Sequence, residues 1–357
     1  MNADNDSEFH RKSTNMDIDE HTLGLRLARH ARPRLLIGPT PLQRLPRLEA
    51  RLGAALQDAR LYVKRDDLSG LGGGGSKLRK LEFLLGEALA GGADTVLASG
   101  LLQSNSASLA AAACASLGLR CELALRPLED DADYRASGNV LLEKLYGASV
   151  LVLPDAAAVG EHFAKRSQAL AAEGRKAYLV PPGASSAIAS LGYASAAREI
   201  VTQEEYGSVR FDRVVLANGS SASHAGLLAG FAMLGRRILV QGFAVYAQIE
   251  ATRRATLSMA REAIELLGGG ATVEESDVVV SDEFLGPGYG RTTPEALAAI
   301  RLLAEEEGLL LDPVYSGKAF AGLLDQVHRG EIRAKENVLF IMTGGSPTLF
   351  AYRSAFD

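Results

Sequence analysis

Nine short apolar runs rich in Val and Leu, at 61–64, 94–99, 120–125, 148–153, 177–180, 213–217, 237–243, 278–280 and 338–342, alternate with longer stretches of helical period. Strands that alternate with helices build βαβ units, and βαβ units build a parallel sheet. The expected fold class is therefore α/β. Residues 77–90 illustrate the helical stretches: Leu81, Leu84, Leu85, Ala88 and Leu89 recur at i, i+3, i+4, i+7 and i+8 and predict one buried face. Thr293 and Pro294 supply an N-cap and first-turn pair for a helix ending near Glu306. With 357 residues, 47% of them hydrophobic, the chain has material for two domains or one large α/β unit.

Thirty-eight basic residues against forty-three acidic ones give a net charge of -5, which excludes a general nucleic-acid footprint and leaves a small molecule as the expected partner. No apolar run reaches the roughly 18 residues of a spanning helix, so no membrane partner is expected. Cys114 and Cys121 are too few for a disulfide framework and wrongly spaced for zinc; they are expected as small buried hydrophobes in a reducing cytoplasm. Residues 1–20 are acidic and lack an apolar run, which argues against a secretory signal and predicts a mobile tail. Leucines interleave Arg26, Arg29, Arg32 and Arg34, as on a solvated helix face.

Glycine clusters at 70–75, 219, 286–290 and 344–345, where strands should hand over to helices. In open α/β sheets ligands sit at the carboxyl ends of strands, and glycine lets backbone approach them. The run 69–80 is no Walker A loop, because Ser76 separates Gly75 from Lys77 and Leu78 follows. What remains is Lys77 at the start of a helix, where the positive helix end and burial lower an ammonium pKa; a neutral amine can form a Schiff base. Gln103, Ser104, Asn105 and Ser106 open another helix with donors and acceptors suited to an oxygen or a carboxylate. Gly219, Ser220, Ser221, Ala222 and Ser223 follow the strand at 213–217 and form a plausible phosphate cup.

The runs at 64–85, 103–105, 284–290, 307–323 and 343–352, in order between about Arg34 and Tyr352, resemble the D-cysteine desulfhydrase and 1-aminocyclopropane-1-carboxylate deaminase family. The resemblance implies a tryptophan-synthase-β-like, fold type II pyridoxal-phosphate enzyme. Its large domain would comprise 21–78 and 192–357, with a smaller α/β domain at 79–191 and pyridoxal 5'-phosphate in the cleft between them. Lys77 matches the lysine that joins the cofactor and later moves protons at the substrate's α-carbon. Asn105 matches the residue bonding the ring hydroxyl, and Gly219, Ser220, Ser221, Ala222 and Ser223 match the phosphate cup. Ser104, Tyr289 and Tyr315 match positions on the substrate side, to which Ser106 is adjacent. Ser316 matches the residue facing the pyridine nitrogen. Relatives of the deaminase type carry Glu there; a hydroxyl leaves the ring nearly neutral and favours α,β-elimination of a β-substituted amino acid to pyruvate and ammonia.

Four positions depart from the family pattern: Ser76, Ser106, Ser108 and Met342 stand where larger polar side chains are usual. Compensated drift and a pocket for a different or larger amino acid both account for them. Arg291 is a candidate carboxylate partner or an ordinary exposed loop arginine. Cyclopropane ring opening, β-replacement and a non-catalytic ligand-binding relative are the alternatives to elimination. The resemblance also implies a homodimer.

Overall fold

The computed structural model describes residues 18–357. Its strands are β1 Leu42–Arg44, β2 Arg60–Arg65, β3 Thr95–Leu101, β4 Arg120–Arg126, β5 Ser149–Val152, β6 Ala177–Leu179, β7 Arg213–Asn218, β8 Leu239–Ala244, β9 Val279–Ser281 and β10 Asn337–Met342. All nine expected runs are therefore strands, in an α/β fold. They form two sheets, ordered β1-β2-β10-β7-β8-β9 and β5-β4-β3-β6. Every pairing is parallel except that of β1 with β2. Strands covered on both faces read as continuous apolar runs, and β7 is buried at every position. The sequence gives no sign of β1, because Leu42, Gln43 and Arg44 carry no period of their own; pairing with Lys64, Val63 and Tyr62 makes them a strand.

Residues 1–17 of the expected tail lie outside the described residues, and the last three of that segment are built into the fold. The N–H of Ile18 donates to Met233 O at 3.0 Å, and Asp19 caps the helix Glu20–Leu27 by accepting from Thr22 N at 2.7 Å. The expected arginine face is also corrected. Only Arg26 belongs to that helix, and it donates to the carbonyls of Leu267 and Gly269 at 2.9 and 2.8 Å. Cys114 and Cys121 are buried free thiols, as expected.

The helix Ser76–Ala90 departs from the single buried stripe its period predicts, with eleven of its fifteen residues buried. It lies between the two sheets, so Phe83 joins one core while Leu78, Leu81, Leu84 and Leu85 join the other. Two of its buried charged residues, Arg79 and Glu82, are paired. Arg79 donates to both carboxylate oxygens of Asp66 (2.8–3.1 Å) and to Glu199 (3.0 Å), while Glu82 accepts from the N–H groups of Leu35 and Leu36. Any β-carbon at Gly192 would collide with Arg79 O, so the helix Ala187–Gly207 crosses backbone to backbone here. The expected domain limits at 78/79 and 191/192 fall inside these two helices.

Candidate active site

The Gly70–Gly75 loop packs closely against backbone and, through Gly72, Gly74 and Gly75, walls a cavity, as expected of a site loop. A β-carbon at Gly74 would overlap Asp67 O, and one at Gly344 would lie 2.8 Å from Gly75 Cα. Ser69 Oγ clamps the loop by accepting from Gly75 N and donating to Gly75 O, and Ser76 N donates to Thr343 O at 2.9 Å. These bonds seat the lysine helix on the end of β10, with Lys77 on a cavity shared with Gly219, Ser220, Asn105 and Tyr315. Burial pulls the Lys77 ammonium down to about 8. Lys80, one turn on, lines the same cavity, and burial together with the Lys77 charge holds it well below the usual lysine range. Neither amine has a carboxylate partner among the described residues. Two amines in so little space are a receptor for an anion. Sequence reasoning passed over Lys80, although its i+3 spacing from Lys77 put both on one helix face.

The loop after β7 carries Ser221 with φ 69°, left-handed for a residue with a side chain. That conformation turns the loop into the first turn of the helix Ala222–Met233, whose leading N–H groups have no partner within the helix. Gly219, Ser220, Ser221 and Ser223 line the cavity. Ala222 does not: its N–H is taken by Ser220 O (2.9 Å) and Ser185 Oγ (3.2 Å), so it serves the shape of the loop. Behind the loop, buried His224 accepts from Asn218 Nδ2 at Nδ1 (3.0 Å) and donates from Nε2 to Val240 O (3.1 Å). Burial holds this imidazole down at about 4 and keeps it neutral.

Ser104 caps the helix Asn105–Leu117 through Ala107 N. Gln103 is no ligand group. Its amide donates to Tyr134 O (2.7 Å) and Ser137 O (3.1 Å), and its oxygen accepts from Asn139 N. Asn139 Nδ2 in turn donates to Asn105 Oδ1 at 2.7 Å, where Thr348 Oγ1 also donates at 3.1 Å. With its oxygen doubly engaged, Asn105 presents Nδ2 to the cavity as a donor.

A second cavity of about 420 Å³ adjoins the first and shares Lys77, Gly219, Ser220 and Tyr315 with it. Ser104, Ser106 and Tyr289 line it. The hydroxyls of Tyr289 and Tyr315 are hydrogen-bonded to each other, and burial raises both pKa values, so the pair stays protonated. Lys318 donates to Leu285 O (2.7 Å) and Gly288 O (3.1 Å), and Tyr352 donates to Gly290 O (2.6 Å), pinning the loop that carries Tyr289. Ser316 lies behind the first cavity, with its Oγ 2.8 Å from the Thr343 hydroxyl that lines it. Asp312 is the buried carboxylate nearby, and it is spent on the N–H groups of Val314, Tyr315 and Ser316. Of the two readings of Arg291 the ordinary one holds: it is an exposed loop arginine, ion-paired with Glu129, and it lines neither cavity.

Residues 33–344 match the family described as pyridoxal-phosphate dependent enzyme. The chain belongs to that family. It is 40% identical over 333 residues to a D-cysteine desulfhydrase of Yersinia enterocolitica, covering 93% of this chain and 98% of the relative. It is 39% identical over 337 residues to a 1-aminocyclopropane-1-carboxylate deaminase of a Methylobacterium species, covering 92% and 99%. The crystal structure of a homologue of the latter deaminase superposes with a TM-score of 0.84 at 39% identity, over 94% of this chain and 98% of that one. The pyridoxal-phosphate dependence fits the cavity on three counts: a buried amine of lowered pKa for the aldehyde, an N–H-rich turn with an adjacent cation for the phosphate, and an oriented amide donor for the ring hydroxyl. No described helix is long and apolar enough to cross a membrane.

Proposed function

We propose that the protein is a lyase that eliminates the β-substituent of an amino acid, as D-cysteine desulfhydrase does, and releases pyruvate and ammonia. The observation that carries this is the pairing of Ser316 with Thr343, which leaves hydroxyls and no free carboxylate at the position assigned to the pyridine nitrogen. The cofactor, when bound, supplies a ring that spreads negative charge from the substrate's α-carbon; without a carboxylate to keep its nitrogen protonated, that spreading is shallow. A group that departs as the proton leaves needs less of it than an unactivated cyclopropane does. Near-equal identities to the two kinds of relative do not separate these reactions, so the proposal rests on the residue at 316.

In this reading Lys77 holds the cofactor and, once freed by the substrate amine, takes the α-proton, a task suited to an amine titrating near neutrality. Lys80 and the loop Gly219, Ser220, Ser221, Ala222 and Ser223 hold the phosphate, and Asn105 Nδ2 holds the ring hydroxyl. Ser104 and Ser106, at the positive end of their helix, bind the substrate carboxylate. The protonated Tyr289–Tyr315 pair gives a proton to the leaving group. The test is keto-acid release from both enantiomers of cysteine and β-chloroalanine and from 1-aminocyclopropane-1-carboxylate. Turnover of the first two alone is expected; efficient ring opening with no β-elimination would overturn the proposal.

The same reading carries a cytoplasmic homodimer, in keeping with two free thiols, and a smaller unit at 79–191 hinged on the helices Ser76–Ala90 and Ala187–Gly207. Light scattering of the holoenzyme tests the dimer, and a monomer would refute it.

A further inference from the structure

The substrate-side cavity holds a charge that the reaction does not use. Arg126 ends β4, in register with Leu101 at the end of β3, and its carbonyl accepts from Leu102 N at 2.9 Å. Its side chain lines the cavity at the carboxyl ends of two parallel strands, where ligands of such sheets sit. Among the described residues its guanidinium has neither a hydrogen-bond partner nor an ion pair, whereas Arg291 nearby is neutralised by Glu129. No Asp or Glu lines this cavity. Apolar side chains also line it: Val159 and Phe163 of the helix Ala156–Ala172, together with Leu179 and Leu101. At about 420 Å³ the cavity, part of which the cofactor would share at Lys77, Gly219, Ser220 and Tyr315, falls in the range of small-molecule sites.

We infer that Arg126 selects amino acids whose β-substituent is a thioether carrying a terminal carboxylate, its chain lying on the apolar wall. The inference rests on the β-elimination reading and adds the class of substrate. Ser104, Ser106 and their helix N-terminus serve the α-carboxylate, which leaves the guanidinium for a second anion. The reaction is balanced by water alone: the α-proton is removed, the C–S bond breaks with its electron pair on sulfur, and the released aminoacrylate hydrolyses. Thioether amino acid plus water thus gives thiol, pyruvate and ammonium, with no external oxidant or reductant.

The test compares S-(2-carboxyethyl)cysteine with its neutral S-(2-carbamoylethyl) analogue, each as both enantiomers, with β-chloroalanine as a reference for elimination. Wild-type holoenzyme is expected to favour the acid at least roughly ten-fold in kcat/KM, mostly through KM, as a charged hydrogen bond would. Arg126→Met should bring the ratio near one, and Arg126→Lys should keep part of it. Binding without turnover gives an independent reading. By calorimetry, 3,3'-thiodipropionate, which lacks the reacting amine, should bind wild type more tightly than its monoamide, and Arg126→Met should erase the difference. Equal kcat/KM for acid and amide, with β-chloroalanine consumed, would overturn the inference while leaving elimination standing. Equal weakening of diacid and monoamide in Arg126→Met would overturn it by assigning Arg126 to the α-carboxylate. If no β-substituted amino acid is consumed, the elimination reading itself fails.

Discussion

Glu143 allows a prediction with a worked magnitude. Its side chain is fully buried in the helix Asn139–Leu145, and neither carboxyl oxygen has a hydrogen-bond partner. Burial, with Cys121 beside it as a smaller influence, raises its pKa from 4.5 to about 9. A raised folded pKa means that the folded chain keeps a proton the unfolded chain gives up. The stability is thus complete below pH 4.5 and is lost as pH climbs toward 9. At about 1.36 kcal/mol per pH unit, the loss between pH 5 and pH 7 is about 3 kcal/mol. Glu143→Gln is neutral at every pH and escapes this loss. Thermal unfolding of the wild-type and variant holoenzymes should therefore diverge as pH rises. The variant should gain roughly 5 °C in Tm relative to wild type between pH 5 and 7, at about 2 °C per kcal/mol. Comparing the two proteins cancels contributions such as that of His224, whose lowered pKa acts with the opposite sign below pH 6.5. Parallel Tm profiles would refute the reasoning, because they would mean that Glu143 ionises in the fold.

Arg79→Met should cost about 3–5 kcal/mol, since it removes the cation paired with the fully buried carboxylate of Asp66, whereas half-buried Glu199 keeps Lys64; adding Asp66→Asn should recover part of the loss in a denaturation series. Lys318→Met releases the carbonyls of Leu285 and Gly288, so turnover should fall roughly ten-fold with the cofactor retained, and unchanged kinetics would remove Lys318 as the positioning residue for Tyr289. Tyr289→Phe should slow elimination of a thiol roughly 100-fold but that of chloride much less, because chloride departs without a proton; equal losses would count against a proton-donating pair.

Local pattern settled much of this protein. Alternation of apolar runs placed nine strands, most clearly central ones such as β7, where burial on both faces of a parallel sheet demands a run of apolar side chains. The glycine loop before Lys77 and the serine loop after β7 were visible because a turn from strand to helix needs glycine and short polar residues within a few positions. What a charge does there depends on partners far away in sequence, and that only the tertiary structure decided. Arg291 had two readings, carboxylate partner or ordinary loop arginine, and only its ion pair with Glu129, 162 positions away, decided for the second. Arg126 drew no notice because nothing in its neighbourhood reveals a missing partner. Gln103 lies beside the site yet orients Asn105 through Asn139, a chain of bonds spanning two helices. Glycines 74, 192 and 344 are spent on backbone contacts between segments that no period connects. Periodicity reports what one element buries, whereas pairing and close approach are properties of two elements and exist only once both are in place.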